Sequence, residues 1–424
     1  MERMRWGAFV ACLALSWGLA QPATASVVDL FGYGARGAGM AGAVVSHPRG
    51  HSAVYYNPAA LAFERHASFS LGFGRGDFLL EINGQDVDTQ EIPALVLGFG
   101  APIPLGGVLE RRLTLGLGFV LPQTSVIIAD LPRPGTEDFV LVSNRSQTVS
   151  IQGALGIRAT DWLSFGAGFI ALAELRGAID VAPNDEGRIG SSVQDEVVAD
   201  YAPVLGMLIK PTPWLSAAVA FHGESVANFS IPVSADLGDQ FTLPIPVLNL
   251  TGVAQYDPRQ VSAEVSWMPT ETLQIAAGAT WKQWSRFPSP IEYTAVPDDF
   301  PAQPPPGFSD TITPRLGVEW AHTSGQWRIE PRGGIAFEPT PVPQQTGNEN
   351  YLDNNRIISA LGLGVIWEQL SFDVALQWHH MPQRTSTKDP EALTDELMVD
   401  NPGVPSISHQ GNIFFWAVEV GVQL

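Results

Sequence analysis

The stretch Leu370-Ser371-Phe372-Asp373-Val374-Ala375-Leu376-Gln377-Trp378-His379 decides the fold class. Successive side chains of a β-strand point to opposite faces. Read that way, Leu370, Phe372, Val374, Leu376 and Trp378 share one face, and Ser371, Asp373, Ala375, Gln377 and His379 the other. The division recurs in 112–121, where Leu113, Leu115, Leu117 and Phe119 oppose Thr114, Gly116 and Gly118. At the C-terminus Phe414, Trp416, Val418, Val420, Val422 and Leu424 oppose Ala417, Glu419, Gly421 and Gln423. Segments 261–267 and 273–282 repeat it, with Glu264 and Lys282 on the polar face. The polar face of a soluble sandwich would be rich in Lys, Glu and Thr, not Gly and Ala. Bulky apolar residues outside and small or polar ones inside is the pattern of an all-β, membrane-spanning antiparallel barrel with a wet lumen.

The pattern appears roughly fourteen times, near 67–74, 93–101, 112–121, 147–158, 161–176, 198–210, 213–222, 258–267, 271–285, 311–321, 326–338, 356–367, 369–381 and 411–424. The connections alternate too. Most of those after even-numbered segments are tight turns, such as Thr160-Asp161, Ser324-Gly325 and Glu368-Gln369. Those after odd-numbered segments (75–92, 122–146, 177–197, 223–257, 286–310, 339–355 and 382–410) are long and rich in Pro, Gly and Asp. Short periplasmic turns and long extracellular loops require that alternation, which puts both chain ends in the periplasm. Trp162, Trp214, Trp267, Trp281, Trp320, Trp367 and Trp416 lie near segment ends and suit an aromatic girdle at the membrane interfaces.

The N-terminus reads as a secretory signal over residues 1–25: Arg3 and Arg5 ahead of an apolar run, then Ala23-Thr24-Ala25. Cys12, the one cysteine, lies within it, so disulfides and thiol chemistry are not expected. Removing two arginines and one glutamate takes the formal charge from −20 to −21. That excess speaks against nucleic acid, which needs a basic footprint, and against a polybasic membrane anchor. Charged residues make up only 16% of the chain, beside 42 Gly and 34 Pro, which suits strands with one unwatered face. Residues 26–65 precede the first strand of the 66–424 barrel and are dense in glycine. A barrel of this strand number would leak, and a plug folded into the lumen is the simplest role for them.

Motifs of other chemistries lack their context. Gly32-Tyr33-Gly34-Ala35-Arg36-Gly37 matches GxGxxG, but no strand precedes it and no βαβ unit follows. His47 and His51 stand four apart, with Pro48 and Gly50 between them arguing against a shared helix face. No G-x-S-x-G elbow is present. The chain reads as a non-enzyme with neither cofactor nor metal.

The inward ionisable residues admit two readings. The segment 326–338 would point Arg328, Glu330, Arg332 and Glu338 into the lumen, with Lys282, Asp373 and Glu419 on other walls. They form a salt-bridge network bracing plug against wall, or one or two cations hold a ligand carboxylate. The connection 223–257 contains Phe241-Thr242-Leu243-Pro244-Ile245-Pro246-Val247-Leu248-Asn249-Leu250. So apolar a run is either a landing site for greasy ligand or a loop folded inward over the mouth.

Tyr33-Gly34-Ala35-Arg36-Gly37-Ala38-Gly39-Met40-Ala41-Gly42-Ala43, followed by Ala53-Val54-Tyr55-Tyr56-Asn57-Pro58-Ala59-Ala60-Leu61, resembles the N-terminal hallmark of the FadL family of outer-membrane fatty-acid and hydrocarbon transporters. Trp281-Lys282-Gln283-Trp284, Phe337-Glu338-Pro339-Thr340-Pro341 and Asp353-Asn354-Asn355-Arg356 extend the likeness over the mature chain. The resemblance implies a monomeric fourteen-stranded barrel in the bacterial outer membrane with an N-terminal hatch. It further implies passive uptake of long-chain fatty acids or other small hydrophobic molecules, captured by outer loops, held in a lumen pocket and released sideways through the wall into the lipid. Carried over, Gly34, Arg36, Gly39, Asn57 and Pro58 belong to the hatch or gate, and Arg176, Lys282, Phe241, Leu243, Ile245 and Leu248 to the ligand site. Arg328, Glu330, Arg332, Asp353 and Arg356 fall in the lumen network. Phe308-Ser309-Asp310-Thr311 carries no second cation, which leaves fatty acid and neutral hydrocarbon both open. The alternatives are a general porin for polar solutes and a structural or adhesive barrel.

Overall fold

The computed structural model describes residues 27–89, 91–107, 110–122, 137–142, 149–183, 189–235, 248–288, 305–392 and 401–424. Fourteen strands form the wall: β1 (Ser68–Ile82), β2 (Ile92–Pro102), β3 (Leu113–Pro122), β4 (Ser150–Arg158), β5 (Leu163–Pro183), β6 (Ile189–Thr212), β7 (Leu215–His222), β8 (Gln260–Trp267), β9 (Leu273–Lys282), β10 (Thr311–Trp320), β11 (Trp327–Glu338), β12 (Arg356–Trp367), β13 (Leu370–Thr387) and β14 (Ser406–Gln423). Each pairs antiparallel with the next, and β14 returns to β1 from Ser68↔Gln423 to Ile82↔His409, so the sheet closes. Closure satisfies every edge that hydrocarbon could not solvate. The segmentation expected from alternation thus holds in number and order, because the period of two survives wherever one face meets lipid.

The outward face is apolar and exposed, with Leu361, Leu376, Phe372, Phe414 and Val418 among its members. Trp162, Trp214, Trp267, Trp320, Trp327 and Trp367 are exposed at the short-turn end, where Trp327 and Trp367 stack at 5.8 Å. Trp378 and Trp416 are exposed nearer the long loops. Such belts suit rings that are apolar in body and polar at one edge.

Two expectations need correction. Several stretches read as loops are strand: β1 runs on to Ile82, and β5 and β6 form a ladder reaching Pro183↔Ile189, so most of 177–197 is paired. The connection 223–257 contains a hairpin with arms Ser225–Ala235 and Leu248–Asp257, whose first arm pairs parallel with the outer part of β5. These ladders outrun the bilayer, where lipid no longer imposes the alternation that flags a strand. The second correction concerns the lumen, which at plug height is packed rather than wet. Inward residues such as Gln152, Glu264, Lys282, Glu319 and Arg332 are buried.

The packing comes from residues 27–63. They form short helices α1 (Val27–Phe31), α2 (Ala35–Ala38) and α3 (Ala53–Tyr56), with a 3-10 turn at Pro58–Phe63. This segment meets all fourteen strands. Phe31 closes on Gly76 of β1, Val54 on Gly116 of β3, Pro58 on Gly156 of β4, and Gly39 on Gly362 of β12. Hydrogen bonds reach β2 (Tyr33 Oη to Leu97 O, 3.2 Å), β5 (Ser164 Oγ to Ala59 O, 2.8 Å), β6, β7, β13 and β14. Ion pairs or charge-assisted bonds reach β8, β9, β10 and β11. A chain touching every stave of a closed barrel lies inside it. The inward glycines admit it: a Cβ at Gly166 of β5 would sit 2.2 Å from the Pro58 carbonyl carbon, and one at Gly206 of β6 2.1 Å from Asn57 Oδ1.

Gly166→Val should therefore unseat the 3-10 turn and leave the wall closed. We expect heat-modifiable migration on gels to persist while cleavage of 27–63 by added protease rises several-fold. Unchanged protection would mean that the turn does not need this contact.

Candidate functional site

Charges, most of them buried, organise the seat of the plug into two networks. In the first, Glu319 of β10 takes Arg36 at 2.9 Å, Arg49 at 2.7 Å and Arg332 of β11 at 3.3 Å. Glu330 takes Arg49 at 2.7 Å, Arg328 at 2.7 Å and Arg332 at 3.4 Å, and Arg332 reaches Asp373 of β13 at 2.7 Å. In the second, Lys282 of β9 binds Asp29 of α1 at 2.8 Å and Glu338 of β11 at 3.0 Å. Glu338 passes to Arg356 at 2.9 Å, and Arg356 to Asp353 at 3.1 Å. The strand members point inward because alternation puts them on the lumen face, and Asp29, Arg36 and Arg49 come from the plug to meet them. Burial makes pairing obligatory, since a lone buried charge costs far more than a matched one.

Arg328, Glu330 and Arg332 thus fall in one cluster and Asp353 and Arg356 in another. Lys282 is already engaged on both sides by carboxylates. Arg49 and Glu319 were not singled out from the sequence. The signal for Glu319 was available in the alternation Thr311, Thr313, Arg315, Gly317, Glu319. For Arg49 there was none, because an irregular segment has no period to read.

Asn57 has a separate task. Its Oδ1 accepts from Ala59 N at 3.1 Å, capping the 3-10 turn, and its Nδ2 donates to Val45 O at 3.1 Å and Met207 O at 3.2 Å. An Asn here ties turn, plug and β6 together, and Pro58 starts the turn where a backbone donor would be idle. Gly34 takes φ +78, a conformation open to glycine. Gly39 lets the α2 end approach β12, a Cβ there lying 3.0 Å from Gly362 Cα. His47 sits 3.5 Å from Glu264, and His51 accepts or donates at 2.7 Å with Ser70. The two histidines serve different walls.

Above the plug lies a narrow cavity. Val28, Tyr55, Ala94, Val120, Ile170 and Leu172 line its apolar side, and Asp29, Asp257, His222, Gln152 and Gln260 its polar part. Among the described residues no Lys or Arg lines it. Its volume is about 40 Å³; on that measure one water needs roughly 10–15 Å³. The long-loop end is capped by a second apolar cluster of Val140, Leu141, Tyr256, Trp284, Phe308, Val342 and Tyr351. Lys388 Nζ donates to the carbonyls of Gly347 (2.8 Å) and Glu349 (2.6 Å) and knits the cap. Burial raises the Glu349 carboxyl to about 7 against the pull of Lys388, and the same burial lowers Lys388 to about 8 against Glu349.

Phe241, Leu243 and Ile245 lie outside the described residues, and for Leu248, the first residue of a hairpin arm, only the backbone is described. Arg176 stands in β5 opposite Glu196 of β6, with Ser230 of the hairpin on its other edge; its side chain is outside the described set.

Two outcomes follow from the charges. Arg332→Met strands Asp373 and weakens Glu319 and Glu330, and should cost about 3–5 kcal/mol in urea unfolding of the detergent-folded barrel; a loss below about 1 kcal/mol would show the pairs to be individually dispensable. Glu349 holds its proton above the ordinary carboxylate range, so the stability it lends is full at acid pH and is lost as pH rises through about 7. Amide exchange over 346–352, corrected for its intrinsic rate, should quicken across that range, and Glu349→Gln should abolish the step.

A family model described as outer membrane protein transport protein (OMPP1/FadL/TodX) matches residues 16–403. No curated protein matches. Among solved structures, a Pseudomonas aeruginosa FadL homologue aligns with TM-score 0.62 at 17% identity, covering 96% of this chain and 99% of its own. The Ralstonia pickettii toluene transporter TbuX gives 0.53 at 13% identity (94% and 100% covered). The P. putida toluene transporter TodX gives 0.54 at 14% (93% and 99% covered). With the family model spanning nearly the whole chain and the fourteen-stranded closed barrel agreeing with it, this protein belongs to the OMPP1/FadL/TodX family of outer-membrane transport proteins.

Proposed function

We propose that the protein passively admits small, neutral hydrophobic molecules, alkyl or aromatic hydrocarbons, across the bacterial outer membrane. It acts as a monomer, with long loops outside and both termini in the periplasm; residues 1–25 are the signal and 26–65 the hatch. The observation that carries this reading is the cavity above the plug, whose wall is largely apolar and whose ionisable lining residues, among those described, are Asp257, His222 and Asp29, the last paired with Lys282. A fatty-acid carboxylate would there meet Asp257 and a lysine already engaged by Asp29 and Glu338, so the neutral ligand is favoured. Lys282, engaged by Asp29 and Glu338, is the less suited to receive a carboxylate. The toluene transporters among the structural neighbours support the same direction.

The packed plug argues against a general porin. In this conformation the cavity has room for only a few waters, so ligand entry widens it. Exit is sideways. Each buried CH₂ is worth about 0.8 kcal/mol, so a hydrocarbon moves from the pocket into lipid in preference to water. We place the opening beside the cavity where β3 ends at Pro122; among the described residues β3 and β4 pair as far as Val120↔Ser150. Outer capture would involve the apolar run containing Phe241, Leu243, Ile245 and Leu248, and Arg176, whose backbone pairs with Ser230 of the hairpin, would serve any ligand bearing an acid.

The test is equilibrium binding of toluene, hexadecane and palmitate to the refolded barrel, read by tryptophan fluorescence. Toluene or hexadecane should bind, Leu172→Asp should weaken binding at least about tenfold by charging the pocket, and Arg176→Ala should change nothing. Tighter palmitate binding that Arg176→Ala removes would replace this reading with a fatty-acid transporter. A large steady single-channel conductance would replace it with a porin.

A further inference from the structure

We propose that the wall has a window between β10 and β11, and that a single-chain amphiphile from the membrane binds there, with a carboxylate head on Arg315 and its alkyl chain outside in the lipid. The site is separate from the opening beside β3 and does not depend on the neutral cargo proposed above.

The seam between these two strands is incomplete. β10 pairs with β9 along its whole length, from Thr311↔Lys282 to Trp320↔Leu273, and β11 pairs with β12 out to Glu338↔Arg356. Between β10 and β11, however, the register ends on the long-loop side at Arg315↔Ala336. Continued, it would set Pro314 opposite Phe337 and Ile312 opposite Pro339. Each of those pairs contains a proline, which has no N–H to give to a ladder. The two chains meet again past the gap, where Ser309 N donates to Pro341 O at 2.9 Å. Residues 311–314 and 337–340 thus flank an opening that is closed at both ends.

The inner side of the opening is polar. Thr311, Thr313 and Arg315 share the lumen face of β10. The hydroxyls of Thr311 and Thr313 are buried and have no hydrogen-bond partner. Arg315 donates through Nη1 to Thr280 Oγ1 at 2.6 Å and to Thr313 O at 3.5 Å. Arg36, Arg49, Lys282, Arg328, Arg332 and Arg356 each hold a carboxylate, whereas among the described residues Arg315 holds none. The plug leaves room for its guanidinium at Gly42, where φ is +77 and a Cβ would lie 3.2 Å from Arg315 Nε. Arg315 faces a chamber of about 60 Å³ that Thr280, Lys282, Glu338 and Gln377 also line. One water needs roughly 10–15 Å³ on that measure, so the chamber has room for a carboxylate. Lys282 and Glu338 are bound to each other. The uncommitted donors are therefore the rest of the guanidinium and the two threonine hydroxyls, a set suited to a planar anion with two oxygens.

The side facing lipid is apolar. Ile312, Ile335 and Phe337 are 59%, 57% and 42% exposed around the gap. An alkyl chain whose head sits at Arg315 would leave through the seam, lie against these side chains and continue into the bilayer, where its CH₂ groups stay out of water.

Trp281 pairs with Ile312 at the edge of the window and can report on it. The detergent-folded barrel would be titrated at alkaline pH with dibromostearate and with its methyl ester, which share a quenching tail and differ in head charge. Quenching by the acid should saturate at about tenfold lower concentration than quenching by the ester, and Trp281→Phe should remove most of that difference. Arg315→Met should abolish the preference for the acid, and Arg315→Lys should keep part of it. Thr313→Asp supplies a carboxylate beside Arg315 and should abolish the preference as well, whereas Arg176→Ala should leave it intact. Heat-modifiable migration checks that each variant is folded. Equal quenching by acid and ester in the parent would overturn the site, as would a preference that survives Arg315→Met or Thr313→Asp. A preference untouched by Trp281→Phe would put the chain elsewhere and remove the window. Toluene binding enters none of these outcomes, so the neutral-cargo reading stands or falls separately.

Discussion

Fifteen residue pairs between β1 and β14 close the sheet, and the rest of the molecule depends on that closure. A strand edge in hydrocarbon leaves backbone groups that cost several kcal/mol each. A ring of fourteen strands removes the edges but encloses more space than its own inward side chains can fill. The protein fills it with residues 27–63. The inward glycines of β1, β3, β4, β5, β6 and β12 are shaped by that filling, because main chain and aromatic rings of the plug stand where Cβ atoms would be.

The seat of the plug is set by charge as much as by shape. Apolar contacts tolerate small displacements, whereas Glu319 with three guanidiniums and Lys282 between two carboxylates are satisfied in one arrangement. Pairing of this kind adds little net stability over well-packed apolar residues, but leaving one partner alone is costly. The two networks divide the work. One ties α2 and Arg49 to β10, β11 and β13, and the other ties α1 to β9, β11 and β12. The second continues through Asp353, whose carbonyl accepts from Arg384 at 2.9 Å, into the cap over the mouth.

The chemistry left for a ligand is then narrow. The cations of the lumen walls are largely committed to the plug, the cavity above it has acidic neighbours, and the cap is a cluster of aromatic rings. The uncharged ligand proposed for this protein is compatible with all three regions.

Alternation by itself determined the barrel, its strand number and which residues face lipid, as in 370–379, because a sheet between lipid and lumen must repeat every two residues. It also assigned Arg328, Glu330, Arg332 and Lys282 to the inner face, since facing depends only on parity. Alternation lost its force beyond the bilayer, so the outer parts of β5 and β6 read as loop. Partners lay beyond it altogether. Whether Lys282 meets a ligand or Asp29, and whether the glycines face water or Pro58, depend on contacts between residues distant in the chain. Only the closed wall brings those residues together, and so only the tertiary structure decided them.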